Sequence, residues 1–229
     1  MHQAQVGPFE QFADPQAVAE AAAAEILSAS QAAVSARGCF RIVLAGGASP
    51  LAAYRLLARE ALEWNAWEVY FGDERCLPRE DPERNSQAAS EALLAEVPIR
   101  SDRIFPIRAE LGAERAAALY AETIAAVRPF DLVLLGMGED GHTASLFPGH
   151  PMPDGALVIP VRGAPKPPPE RVTLTPTALA DCRRMLVLVT GEGKRAALAD
   201  WRAGADLPVA RVAEAGRARV LIDREAAGA

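Results

Sequence analysis

Five short apolar runs, each followed by a glycine-bearing or charged turn and four of them then by an alanine-rich stretch, constrain this chain more than any other feature. They are 40–45 (FRIVLA), 67–71 (WEVYF), 103–107 (RIFPI), 131–135 (DLVLL) and 185–189 (MLVLV). Continuous runs rich in branched residues are the mark of strands buried on both faces, as in a parallel sheet. Segments 157–161, 171–175 and 218–222 are weaker strand candidates. Helical spacing of apolar residues falls between them, over 15–35, 50–63, 86–96, 112–127 and 192–202. Asp14-Pro15, Ser49-Pro50 and Thr175-Pro176 each offer a side-chain acceptor at the N-cap, with proline at the first helical position. Repeated β-α-β units require right-handed crossovers and a covered parallel sheet. The expectation is an α/β, Rossmann-like three-layer fold, with a mainly parallel sheet, helices on both faces and one domain over 1–229.

In such sheets ligands sit at the carboxyl ends of the strands, so the turns there are where chemistry is sought. Ala45-Gly46-Gly47-Ala48-Ser49-Pro50 follows the first run and opens a helix. Its glycines allow close backbone approach, and a helix N-terminus presents unpaired N–H groups, an arrangement suited to phosphate. A plain strand-to-helix turn would look the same. Asp73-Glu74-Arg75 follows WEVYF directly; it is either a solvated loop or a set of charges aimed into the crevice.

The turn after DLVLL reads Gly136-Met-Gly138-Glu-Asp140-Gly141-His142. It contains a GxGxxG, but the acid expected about 20 positions on is missing from its place, so a dinucleotide site is weakly supported. The chain has three histidines. His2 lies at the terminus and His150 among prolines. His142 is therefore the leading candidate for acid/base work near neutral pH, against the alternative of a capping or packing role. Lys166, Arg171 and Lys194 are late cations, of which Arg171 and Lys194 flank predicted strands. Gly193-Lys194 is not a phosphate-binding P-loop, because Leu188 stands where the first glycine belongs and Arg195 replaces the hydroxyl residue.

Other classes are disfavoured. The net charge of −6 argues against a nucleic-acid or anionic-membrane surface, and no apolar run approaches the roughly 18 residues of a membrane span. Met1 to Pro8 carries no secretory pattern. Three scattered cysteines, Cys39, Cys76 and Cys182, fit reduced thiols in a cytoplasmic protein. Zinc-ligand spacings and the GxSxG elbow of serine hydrolases are both missing. No metal or cofactor is expected.

Five ordered blocks resemble the 6-phosphogluconolactonase family of the sugar-phosphate isomerase/deaminase fold group: LAGGASPLAAYRLLA, YFGDERCLP with Asn85-Ser86 following, DLVLLGMGEDGHTASLFPGH, PKPPPERVTLT and VTGEGKRAAL. The resemblance implies hydrolysis of a phosphorylated sugar lactone, 6-phospho-D-glucono-1,5-lactone. In that reading Gly46, Gly47, Ala48, Ser49, Arg171 and Lys194 hold the phosphate. Asp73 and Arg75 contact the sugar acid or its phosphate. His142 activates water, and Asp140 positions either the imidazole or substrate hydroxyls. The partner is a small sugar-phosphate lactone, and the protein a monomer or small homo-oligomer. One departure is Ala48, where the family usually has serine, which removes a hydroxyl from the turn. The related glucosamine-6-phosphate deaminases carry a carboxylate shortly after the motif histidine; here Thr143 to Pro148 has none. A non-catalytic sugar-phosphate sensor could keep the cations but would not need His142 and Asp140.

Overall fold

The computed structural model describes residues 9–228 apart from 152 and 154; the reading of Met1 to Pro8 lies outside them. Chain order begins β1 (Phe9–Phe12), α1 (Pro15–Arg37), β2 (Phe40–Leu44), α2 (Ala48–Leu57), β3 (Trp67–Phe71), β4 (Asp73–Arg75) and α3 (Asn85–Ala89). It continues α4 (Ala113–Ala125), β5 (Leu132–Gly136), β6 (Val158–Val161), β7 (Arg171–Leu174), α5 (Pro176–Ala180) and β8 (Met185–Val189). It ends α6 (Arg195–Arg202), α7 (Pro208–Ala215), β9 (Arg219–Asp223) and α8 (Arg224–Ala227).

The main sheet is parallel, in the order β1-β9-β8-β5-β2-β3, with helices on both faces. Its central strands bury nearly every residue, which is why they read as unbroken apolar runs. Chain direction across the sheet reverses between β2 and β5: β3 lies on one side of β2, and the chain then crosses back to place β5 on the other. A reversal of this kind opens a crevice beyond the strands' carboxyl ends. A small antiparallel sheet, β4-β7-β6, stands beside it.

Two of the three proposed caps form. Asp14 accepts from Ala17 N at 2.8 Å, and Thr175 Oγ1 from Ala178 N at 3.3 Å. The third does not. Helix α2 starts at Ala48 behind Gly47, whose φ of +99° needs glycine, and Ser49 lies inside the first turn. That helix ends at Leu57 rather than 63. Segment 103–107 is not a strand: Ser101–Arg103 is a 3-10 turn, and Ile104 makes a single bridge to Val69. Pro106 has no N–H to continue the ladder. The 86–96 helix begins as α3 and continues as a π-turn over Ser90–Leu94. Strands β1 and β4 and helices α7 and α8 come in addition to the expected elements. No described helix is long and apolar enough to cross a membrane.

Candidate active site

A cleft of about 290 Å³ opens at the reversal point. It is walled by the turns after β2, β5 and β8, by β4, and by the proline loop before β7. Gly46, Gly47, Ala48, Ser49, Asp73, Arg75, His142, Arg171 and Lys194 all line it. Asp140 does not: it stands behind the histidine.

The β2 turn supplies a helix N-terminus. The amides of Ala48 and Ser49 lie in the first turn of α2, where no intrahelical carbonyl is available to them. Ser49 Oγ meets Thr190 Oγ1 at 2.5 Å, joining this turn to the one after β8. Thr190 thus brings a second hydroxyl to the cleft wall. Asp223, fully buried at the end of β9, accepts the Gly191 N–H through both carboxylate oxygens (3.1 and 3.0 Å) and caps α8 through Ala226 N. That clamp fixes the Thr190–Lys194 turn and sets where Lys194 enters the cleft. Burial holds the Lys194 ammonium below its usual pKa, against the pull of Glu139.

The three charges after β3 have separate fates. Asp73 is buried at the cleft wall, accepting from Ser145 Oγ (2.6 Å) and Asn85 Nδ2 (3.0 Å). Burial raises its pKa, opposed by the Ser145 hydrogen bond and by Arg75. Glu74 turns away from the cleft. It accepts from Asn85 N (2.7 Å) and Ser86 N (2.9 Å) at the start of α3, and pairs with the buried Arg84 at 3.3 Å. Arg75 faces the cleft and donates to the Glu83 carbonyl. Asn85 in turn packs so close to Gly46 that a Cβ there would overlap its amide.

Arg171 spends three donor contacts on the proline loop, to the carbonyls of Lys166 (3.1 Å), Pro167 (2.9 Å) and Pro168 (3.1 Å). The same loop carries Lys166 into the cleft. Lys166, Asn85 and Thr190 are lining residues to which the sequence reading gave no role, although each belongs to one of the family-like blocks.

His142 is half-buried. Its Nδ1 pairs with the Asp140 carboxylate, and its ring lies 4.7 Å from that of Phe147. Burial lowers the imidazole pKa below 6.5, outweighing the opposite pull of Asp140. Burial also pushes the Asp140 carboxyl up, but its hydrogen bond and charge contact with His142 win and hold it below the usual range. An ionised Asp140 accepting from Nδ1–H leaves the other ring nitrogen, Nε2, with the lone pair. The turn is tight: Gly138 N donates to the His142 carbonyl at 2.8 Å, and Ala144, also on the cleft wall, sits at φ +48°. Non-glycine residues in that conformation tend to occur at functional sites.

A neutral imidazole oriented by a carboxylate, facing a helix N-terminus and several cations, is the geometry of a hydrolytic site for an anionic substrate. The family model for glucosamine-6-phosphate isomerases/6-phosphogluconolactonase matches residues 13–222. The chain belongs to that family. Within it, a 6-phosphogluconolactonase of Streptomyces coelicolor is 41% identical, over 91% of this chain and 88% of that protein. One from Mycobacterium tuberculosis is 39% identical, over 95% and 96%. The structure of 6-phosphogluconolactonase from Trypanosoma brucei superposes with a TM-score of 0.85 at 29% identity, covering 97% and 98% of the two chains. Among the described lining residues of this family member the only carboxylate is Asp73. Among the described residues no group of three or more His, Cys, Asp or Glu is placed to hold a metal ion.

Proposed function

We propose that the chain is a cytoplasmic 6-phosphogluconolactonase. It hydrolyses 6-phospho-D-glucono-1,5-lactone to 6-phospho-D-gluconate in the oxidative pentose phosphate pathway, without a cofactor. The observation that carries this reading is the Asp140–His142 pair, whose imidazole lines a cleft together with Arg75, Lys166, Arg171 and Lys194 against the single carboxylate of Asp73. His142 Nε2 takes a proton from water as the water oxygen attacks the lactone carbonyl. The tetrahedral intermediate collapses by breaking the bond to the ring oxygen, and the imidazolium returns its proton there. The products are a carboxylic acid, which ionises at neutral pH, and a free sugar hydroxyl. Asp140 is the positioning residue that fixes the tautomer. Asp73 and Arg75 contact the sugar acid, and the α2 N-terminus, Arg171 and Lys194 hold the phosphate, with Lys166 close by. Ser49 and Thr190 offer hydroxyls on the wall where Ala48 has none.

Phosphate is the main affinity handle in this account, because charge-assisted hydrogen bonds are stronger than neutral ones. Lys194→Ala is expected to raise KM by about 10-fold or more while kcat changes little, as for loss of binding shared by ground and transition states. Unphosphorylated glucono-1,5-lactone is expected to be a poor substrate for the wild type. Equal kcat/KM for the two lactones would remove the phosphate assignment.

The base must be neutral, so kcat/KM rises with pH through the His142 ionisation. Burial lowers that ionisation, and the acid limb is expected below pH 6.5. Asp140→Asn removes a group that raises the imidazole pKa. The limb should then move to lower pH, with kcat reduced by the loss of orientation. A rate profile measured from pH 5 to 8 on both proteins checks the order; a limb that moves upward in Asp140→Asn contradicts it.

A further inference from the structure

A second cavity, of about 450 Å³, shares no lining residue with the cleft. Its volume is within the range of ordinary small-molecule pockets, roughly 300–1,000 Å³. Phe71, Ile107 and Tyr120, all buried, contribute to its apolar lining, together with the half-buried Phe105. These walls are fixed. The Phe105 ring stacks on Tyr70 at 4.8 Å, and the Tyr120 hydroxyl accepts the Phe71 N–H at 2.8 Å.

Its charge is unlike that of the chain as a whole. The protein carries −6, yet this cavity is lined by Arg79, Arg84 and Arg108 against Glu110 alone. Arg84 is neutralised: its guanidinium, 2% exposed, donates to Glu110 at 2.9 Å and to the Ile107 carbonyl at 2.7 Å, and it pairs with Glu74. Arg108 stands 3.8 Å from the same Glu110, whose carboxylate is already engaged, and Arg79 pairs with no carboxylate among the described residues. Two exposed guanidiniums therefore rim an aromatic-walled hollow with little acidic compensation. Arginine suits both demands of a flat anion, since it bonds carboxylate or sulfonate in the plane and stacks on π-surfaces.

We infer that this cavity is a binding site for a small aromatic anion, a flat ring system bearing one carboxylate or sulfonate, distinct from the cleft that holds His142. The apolar body lies against Phe71, Phe105 and Tyr120, and the anionic group meets Arg79 and Arg108. The inference does not depend on the reaction assigned to the cleft.

The probe is 1-anilinonaphthalene-8-sulfonate, titrated into the folded full chain by calorimetry and fluorescence. One equivalent is expected to bind saturably. Arg79→Glu/Arg108→Glu puts like charge beside the sulfonate and is expected to weaken binding by about 10-fold or more. Both positions are exposed. Arg79→Lys/Arg108→Lys, which keeps the charges, should retain most of the affinity. Lys194→Ala, altered only in the cleft, should bind as the wild type does. Absence of saturable binding, indifference to the charge reversal, or loss of binding in Lys194→Ala would each overturn the proposal.

Discussion

Replacing His142 with Asn is expected to lower kcat by about 10²-fold or more, with affinity for the product 6-phosphogluconate nearly unchanged. Asn keeps much of the size and hydrogen-bonding capacity of the imidazole but cannot accept a proton from water near neutral pH. The groups assigned to the phosphate belong to other elements: the α2 N-terminus, β7 and the turn held by Asp223. They remain in place when the imidazole is lost. Steady-state kinetics with spontaneous hydrolysis subtracted, alongside calorimetric titration of 6-phosphogluconate, separate the two effects. His150→Asn is the matched control. His150 lies outside the cleft, with its Nε2 3.4 Å from the Gly163 carbonyl, and its loss should leave kcat unaltered. If His142→Asn kept most of its kcat, or lost product binding as well, the imidazole would be a structural or binding group.

Gly138→Ala should be nearly as damaging, although it adds only a methyl group. A Cβ at Gly138 would overlap the His142 imidazole and stand 2.7 Å from Asp140 Oδ1. The ring cannot move freely aside, because Phe147 lies against it and Asp140 pairs with its Nδ1. Relief must come from displacing the imidazole or breaking its pair with Asp140. Misplacing a reacting group by about 1 Å can cost 10²-fold, so kcat is expected to fall on that order. KM should change less, since the cations are untouched. Kinetics and thermal unfolding of the variant check this, because the account expects lost activity in a protein that still folds. A Gly138→Ala enzyme with more than half the wild-type kcat would mean that the Asp140–His142 geometry is not needed.

These two positions also mark what can be read from the amino-acid order. Strands β2, β3, β5 and β8 are legible because both their faces are buried, so their composition alone names them. The crevice follows from their parallel order, and the turns that enter it carry His142, Asp73 and Lys194. What composition conceals is polar burial. Strand β4 reads either as a solvated loop or as charges aimed into the crevice; Asp73 and Glu74 are buried because Ser145, Asn85, Arg84 and two backbone amides at the α3 start satisfy them. Those partners come from distant segments, and no local pattern announces them. Ser49 misleads for a related reason. Its place before proline suggests a cap, but Gly47 takes the cap position and the hydroxyl pairs with Thr190, 141 residues away. Short elements such as β1 and α8, at four residues each, fall below the length at which periodicity can be recognised.

The most direct test of the central claim is proton release measured by pH-stat at neutral pH. Purified chain is mixed with freshly prepared 6-phospho-D-glucono-1,5-lactone, the spontaneous rate is subtracted, and ammonia release from glucosamine 6-phosphate is assayed in parallel. The account predicts saturable, enzyme-dependent acid production from the lactone and no ammonia from the amino sugar. A lactone rate equal to the spontaneous one, or ammonia release at a comparable turnover, would contradict it.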